Sequence, residues 1–295
     1  MPYKGNFATG DGFDQRLTLG FKFLDKFVET DNGTDAIDVD VVGFSRGATE
    51  ARVWINQLVA KLKDKKYTSG GKSRCINLRF EGLWDTVPHL GALNGKEKNY
   101  DFSIPSMVRH AVHAVALNEH RGGATNFHVR SIWDQPGGAS SSNRIEKGFI
   151  GSHADIGGAY GAGDLSNVAL MWMINQAQTQ GVVFEADTIS RNGWDTVTNP
   201  IVHDKSEYTA ELGDLIFSRD VIYGNGANPT SIDQQKVAFD GKTVEETKTL
   251  IKYFKNPYAC EKYHVGLVYM EAYLKWIASY GVSIKIGPLN NASCS

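Results

Sequence analysis

The stretch from Ile37 to Leu62 limits the fold more strongly than any other part of this chain. The run Ile37-Asp38-Val39-Asp40-Val41-Val42 is rich in β-branched residues and predicts a buried strand. The strand stops at Gly43, and apolar residues then recur on one helical face, at positions 51, 55, 58, 59 and 62. A buried strand that turns directly into an amphipathic helix is typical of α/β folds.

The turn between these two elements reads Gly43-Phe44-Ser45-Arg46-Gly47. In a Gly-x-Ser-x-Gly turn, the two glycines relieve crowding while the serine hydroxyl is presented above the sheet. The backbone N–H of Arg46 can then stabilise an oxyanion, helped by the positive end of the following helix. The pattern alone is common, but the strand before it and the helix after it favour a nucleophilic serine over an idle one.

Two later strand ends carry the residue types that such a serine needs. A predicted strand over Ile76–Leu83 leads to Asp85, and another over Arg144–Gly151 leads to His153. In hydrolases of this type the acid and the histidine follow the serine in that order, and parallel sheets bind ligands at strand carboxyl ends. We therefore predict Asp85 as the acid and His153 as the base. Asp155 is an alternative acid, although its position two residues from His153 favours a capping role.

Helices are predicted over Phe13–Thr30, over Val108–Arg121, from Asp164 to about Gln180, and over about residues 261–280. Alternation of strands and helices predicts a mostly parallel sheet with helices on both faces. Residues 181–255 have no clear pattern and are candidates for a cap or lid. Without an evident linker, residues 1–295 are expected to form a single α/β-hydrolase-like domain.

Composition excludes several classes of function. The 295 residues include 31 basic and 33 acidic side chains, a net charge of −2 that argues against a nucleic-acid partner. No apolar signal region follows Met1, and no run approaches about 18 apolar residues, so we expect a soluble protein made in the cytoplasm. The 3 cysteines argue against a disulfide framework, and Cys75 is expected to be buried.

Metal chemistry finds little support in the sequence. His153 with Asp155, or His110 with His113, could start a metal site, but neither pair is a complete ligand set. We therefore predict no metal and no cofactor.

In combination, four motifs resemble a known family. They are Gly43-Phe44-Ser45-Arg46-Gly47-Ala48, Glu81-Gly82-Leu83-Trp84-Asp85-Thr86-Val87, His113-Ala114-Val115-Ala116-Leu117-Asn118-Glu119-His120-Arg121 and His153-Ala154-Asp155-Ile156-Gly157-Gly158. Together with the helix over Leu165–Gln178, they resemble the α/β-hydrolase domain of type VI secretion lipase effectors, the Tle-like phospholipases, over about residues 35–185.

The resemblance implies that Ser45, Asp85 and His153 form a triad that hydrolyses acyl esters of membrane phospholipids. It also implies contact with a membrane surface, partners among secretion-spike and immunity proteins, and export to the periplasm of a target cell. Family members begin with a strand and an Asp-Gly-Thr loop well before the serine, whereas about 44 residues precede Ser45 here. N-terminal strands are therefore expected to be missing, and with them the second oxyanion donor.

Three functions remain open at this point. The first is a phospholipase, the second an esterase on small soluble esters, and the third an inactive hydrolase fold that serves as a binding module. The side chain of Arg46 either braces the turn or contacts a phosphate.

Overall fold

The computed structural model describes residues 12–89, 99–122, 127–138, 140–206, 218–225, 228–255 and 264–289. The first three elements are helix α1 (Phe13–Thr30), strand β1 (Ile37–Phe44) and helix α2 (Arg46–Lys61). They confirm the predicted first helix and the predicted strand-to-helix turn.

The central part of the chain supplies most of the main sheet. Its elements are β2 (Lys66–Ser69), β3 (Lys72–Trp84), β4 (His110–Ala116), β5 (Val129–Arg130), β6 (Arg144–Phe149), α3 (His153–Gly157) and α4 (Ser166–Thr179). The main sheet has the order β1-β3-β4-β6 with all neighbours parallel, and β2 pairs with β3 in the antiparallel sense. The mostly parallel α/β fold is thereby confirmed.

Helices cover both faces of this sheet. Leu24 of α1 and Leu58 of α2 pack on one face, whereas Trp172 of α4 packs on the other. A bulge in β3 explains why its residues contribute to the hydrophobic cores on both faces of the sheet. Val39 of β1 pairs with Leu78, but Asp40 pairs with Phe80. One extra residue reverses the side-chain alternation, so that Leu78 faces the first core and Phe80 the second.

The remaining elements form smaller sheets and short helices. They are α5 (Ala186–Arg191), β7 (Thr196–Val197), β8 (Ile201–Asp204), β9 (Asp220–Tyr223), β10 (Thr230–Asp233), α6 (Val244–Thr247), β11 (Ile251–Tyr253), β12 (His264–Val268), α7 (Met270–Trp276) and β13 (Lys285–Ile286). Strand β9 pairs with β5 and β10, and β12 pairs with β8 and β11. That residues 181–255 act as a cap or lid stays a prediction.

Three local predictions are wrong. The segment expected as a helix over Val108–Arg121 contains strand β4, which is buried along its whole length between β3 and β6. A strand buried on both faces has no alternating pattern, and a short apolar run then resembles a buried helix. The helix expected over residues 261–280 is divided into β12 and α7.

Cys75 is the third case, because it is exposed rather than buried. It lies opposite Lys66 where β2 pairs with β3. Across the described residues, no helix is both long and apolar enough to cross a membrane.

Candidate active site

The serine of the predicted Gly-x-Ser-x-Gly turn lies between β1 and α2 in a strained conformation. Ser45 has φ 60° and ψ −122°, a combination that residues other than glycine rarely adopt. Its N–H donates to the carbonyl of Trp84 at 2.9 Å, and its carbonyl accepts the N–H groups of Ala48 and Thr49 at 3.1 and 3.2 Å. These bonds hold the turn against its strain, so that the serine lies where the strand ends and the helix begins.

The two glycines of this turn differ in how much space a side chain would have. A Cβ atom on Gly43 would lie 2.3 Å from the carbonyl oxygen of Gly47, so the turn cannot close around a larger residue there. A Cβ atom on Gly47 would meet nothing within 4 Å. The crowding expected at both positions is therefore found at Gly43, whereas Gly47 leaves open space beside Ser45.

Asp85 follows β3, and its carboxylate lies against His153, the first residue of α3. The Nδ1 atom of His153 is 2.6 Å from Oδ2 of Asp85, and the N–H of Ala116 donates to Oδ1 at 3.0 Å. The carboxylate is fully buried. Because an ionised carboxylate only accepts, Nδ1 carries the proton, and Nε2 of the neutral ring is the nitrogen that can take up another.

Arg219 approaches the same carboxylate, and both are fully buried. Its terminal nitrogens lie 2.7 Å from Oδ2 and 3.2 Å from Oδ1 of Asp85, while its Nε donates to the carbonyl of Phe127 at 2.9 Å. Burial by itself raises the pKa of Asp85, but the charge of Arg219 and the hydrogen bond from His153 outweigh it. The pKa of Asp85 is held well below its usual range, so the carboxylate stays ionised.

The His153 ring is held by two aromatic rings and by a backbone bond. The ring centroids of Phe44 and Phe127 lie 4.4 and 4.7 Å from that of His153, and the His153 N–H donates to Glu119 at 3.1 Å. Burial lowers the pKa of His153, opposed by the hydrogen bond to Asp85. The ring is therefore neutral at neutral pH and available as a base.

The alternative acid, Asp155, has other partners. Its carboxylate accepts the N–H of Ser152 at 2.8 Å and the N–H of His203 at 2.9 Å, and it lies 2.8 Å from Nδ1 of His203. Within the described residues, no hydrogen bond links Asp155 to His153. The structure thus pairs Asp155 with His203, and it brings Asp85 together with His153.

Ser45 and His153 line one cavity of about 660 Å³, together with Arg46 and Gly47. Helix α2 begins at Arg46, so its first N–H groups and the positive end of its dipole lie in this cavity wall. In the described part of the chain, no hydrogen bond joins the Ser45 hydroxyl to the His153 ring. Such bonds are often long in a free enzyme and tighten when substrate binds.

The charged side chains of the cavity wall are mostly cationic. Among the described residues they are Arg16, Arg46, Arg121, Lys205 and the carboxylate of Glu50, which forms an ion pair with Arg16. Arg121 is also paired, with the buried carboxylate of Glu119 at 2.9 Å. The positive charge that Arg46 and Lys205 add to the wall favours an anionic group in the bound ligand. No group of three or more potential metal ligands occurs in the residues that the structure describes.

Sequence reasoning missed three residues of this site. Glu119 belongs to a motif that carries the family resemblance, but the resemblance does not imply a function for it. Phe127 and Arg219 follow no motif, and Arg219 is 134 residues from Asp85 in the chain. Only their position in space connects them to His153.

A sequence profile of the family described as "T6SS, Phospholipase effector Tle1-like, catalytic domain" matches residues 56–176. The resemblance is thereby confirmed over this segment, which includes Asp85 and His153 and begins after Ser45. A comparison with curated proteins finds no match.

Two solved structures are similar to the chain at 24% identity each. The first, "Crystal structure of an uncharacterized protein from Pseudomonas aeruginosa", has a TM-score of 0.41, with 58% of this chain and 29% of that chain covered. The second, "Structure of the Tle1 effector bound to the VgrG spike from the Type 6 secretion system", has a TM-score of 0.36, with 51% and 30% covered. The chain thus spans under a third of either protein.

Proposed function

We propose that this chain is a serine esterase of the phospholipase type, which hydrolyses acyl ester bonds of membrane phospholipids. The observation that carries the proposal is the buried Asp85–His153 pair, 2.6 Å apart, in a site whose cavity also contains the strained Ser45 turn. The match of residues 56–176 to a phospholipase effector domain supports the choice of substrate.

In the proposed reaction, the Ser45 oxygen attacks the ester carbonyl while Nε2 of His153 takes the serine proton. Asp85 orients the ring and stabilises its charged form. The tetrahedral intermediate then collapses, the bond to the alcohol breaks, and His153 returns the proton to the leaving alkoxide. Water attacks the acyl-serine in the second half of the reaction, with His153 again as the base, and releases the fatty acid and free Ser45.

The oxyanion of each intermediate is assigned to the Arg46 N–H, with added positive potential from the N-terminal end of α2. A donor of this kind contributes about 10²–10³ in turnover in a serine protease. Arg46 and Lys205 of the cavity wall provide positive potential for the phosphate of a lipid head group.

An exposed apolar stripe on α1 supports a substrate at a membrane surface. Leu19, Phe23 and Phe27 lie four residues apart on one helical face and are 64%, 75% and 44% exposed. Phe23 and Phe27 also line a groove of about 480 Å³ between α1 and β1, which shares Gly47 with the catalytic cavity. Clustered exposed apolar side chains next to a catalytic cavity suit contact with lipid.

The serine is tested with a fluorophosphonate probe that reacts with activated serines. Wild type should be labelled and Ser45→Ala should not. The matched control is Ser190→Ala, because Ser190 is exposed and hydrogen-bonds to Asp195 at 3.3 Å. The absence of labelling in wild type would contradict the serine mechanism and favour an inactive binding module.

The substrate is tested by lipid mass spectrometry on phospholipid vesicles treated with wild type or Ser45→Ala. Release of fatty acid and lysophospholipid by wild type alone is the expected result. Hydrolysis of short nitrophenyl esters with vesicles left intact would replace the phospholipase with an esterase on small soluble esters.

We further propose that the protein acts as a type VI secretion effector, with a secretion-spike protein and an immunity protein as partners and the periplasm of a target cell as its destination. The proposal rests on the effector family matched over residues 56–176. Co-purification of the full chain with a candidate type VI secretion spike protein tests the first partner. Competition between secreting and spike-deficient strains tests delivery.

A further inference from the structure

A second buried histidine lies directly behind the proposed acid. The backbone N–H of Thr86, the residue after Asp85, lies 3.0 Å from Nε2 of His113, and the Thr86 hydroxyl lies 3.2 Å from the same nitrogen. Because an amide N–H can only donate, Nε2 accepts and carries no proton. The ring proton of His113 is therefore on Nδ1.

The Nδ1 proton of His113 has an acceptor of its own. Oε2 of Glu146 lies 2.9 Å from Nδ1 of His113 and also accepts the N–H of Ile132 at 3.0 Å. Oε1 of Glu146 accepts the hydroxyl of Ser131 at 2.8 Å. The Glu146 carboxylate is buried and accepts all of these donors. It therefore fixes both the tautomer and the orientation of the His113 ring.

The turn that this network reaches is strained and is shared with the serine. Asp85 has φ 43°, which is unfavourable for a residue other than glycine. The Asp85 N–H donates to the carbonyl of Ala114 at 2.8 Å, and the N–H of Val87 donates to the carbonyl of Ser45 at 3.3 Å. The Thr86 N–H between them belongs to the peptide plane that sets where the Asp85 carboxylate points.

We propose that His113, held by Glu146, is a positioning residue that locks the Asp85–Thr86 peptide and so keeps the Asp85 carboxylate aligned with His153. The inference rests on the proposed serine esterase function. Without His113, the buried Thr86 N–H lacks an acceptor, and a buried unpaired donor is costly. The strained turn then gains by rotating its peptide plane towards another acceptor, which moves Asp85 relative to His153.

Two amide substitutions separate the two contacts of the ring. The side-chain amide of glutamine reaches the Nε2 position of histidine, whereas that of asparagine reaches only the Nδ1 position. H113Q therefore keeps an acceptor for Thr86, and H113N keeps only the contact to Glu146. A third variant, H110Q, is the control, because His110 is also buried on β4 but hydrogen-bonds to Gln176 on another element.

The expected result is a fall in kcat of about 10²-fold for H113N with KM nearly unchanged, since small misplacements of catalytic groups cost about that much. A fall in kcat with KM unchanged marks a transition-state effect. H113Q keeps the acceptor for Thr86 but loses the contact to Glu146, so its kcat should fall at least about tenfold less than that of H113N, whereas H110Q should stay within about threefold of wild type. The downfield proton resonance of His153 Nδ1 should shift in H113N and persist in H113Q. Circular dichroism and thermal unfolding verify that each variant is folded.

The outcomes distinguish this inference from the proposed function. Equal kcat in folded H113N and H113Q would overturn the positioning role while leaving the serine mechanism in place. Equal loss in H110Q would also overturn it, because the effect would then follow from damage to β4. A wild type that neither reacts with fluorophosphonate nor hydrolyses esters would instead contradict the proposed function itself.

Discussion

Glu81 provides a quantitative test of the structure, because it is a buried carboxyl group with no hydrogen-bond donor among the described residues. It lies in β3, four residues before Asp85, and within the described residues neither of its oxygens has a hydrogen-bond donor. The charge of Arg52 attracts it, but the N–H groups of Arg52 donate to backbone carbonyls of Phe102, Arg130 and Ser131.

The free energy of ionising Glu81 follows from its pKa. Burial raises the pKa of Glu81 from its ordinary 4.5 to about 7, although the charges of Arg52 and Arg144 oppose the rise. At about 1.4 kcal/mol per unit of pKa, ionisation costs the folded protein roughly 3 kcal/mol. The folded state binds the proton more tightly, so this contribution to stability is complete below pH 4.5 and is lost as the pH rises to about 7.

The perturbation is Glu81→Gln, which keeps the shape of the side chain and cannot ionise. Urea unfolding of both proteins at several pH values between 4.5 and 8 gives the difference in free energy of unfolding, in which the other titrating groups cancel. Relative to the variant, wild type should lose roughly 3 kcal/mol across this range. The exposed Glu271→Gln is the control and should show no such trend.

A difference that stays constant with pH would refute the reasoning, since it would mean that Glu81 has the same affinity for protons in the folded and unfolded states. A difference that grows in the opposite direction would mean that Glu81 is paired as a carboxylate. Proton NMR or infrared detection of the neutral carboxyl near pH 6 provides a second readout that does not depend on unfolding.

Three further predictions concern the site and its surroundings. Because burial lowers the pKa of His153, the acidic limb of kcat/KM should have its midpoint below the ordinary histidine pKa of 6.5. Hydrolysis of a soluble ester from pH 4 to 8 measures this limb. A midpoint above 6.5 would contradict a buried neutral base. Arg219→Met should lower the free energy of unfolding by about 3–5 kcal/mol, because it leaves the Asp85 carboxylate without its buried charge partner. Urea unfolding measures this loss. A loss below about 1 kcal/mol would show that the ion pair contributes little to stability. The double change of Phe23→Ser with Phe27→Ser should weaken flotation with phospholipid vesicles while hydrolysis of soluble esters is kept; unchanged flotation would exclude the α1 stripe as a lipid contact.

Much of the main sheet could be predicted from residue patterns. The helix over Phe13–Thr30 and the strand that begins at Ile37 are found where the patterns place them. The helix ends at Thr30, before the Asp31-Asn32-Gly33 turn, and the strand ends at Phe44, one residue beyond the predicted stop at Gly43. Patterns failed at β4, because its run of alanine, valine and histidine lacks alternation once both faces are buried.

The surroundings of the site could be predicted only in part. Chain order and strand ends singled out Asp85 and His153 as candidates, and their catalytic roles stay a proposal. His113 lies in the segment that the pattern predicts as a helix, so the pattern gives no reason to place it against the turn after β3. Once β4 lies beside β3, the same residue meets the N–H of Thr86.

Local sequence is sufficient for the strained turn at Ser45, because a β-branched strand, two spaced glycines and an amphipathic helix act on one another within about 25 residues. Long-range packing sets the rest. The order β1-β3-β4-β6 decides that His153 meets Asp85 while Asp155 meets His203. Arg219 reaches Asp85 across 134 residues, a contact that depends on how the sheet and its loops close and that no local pattern encodes.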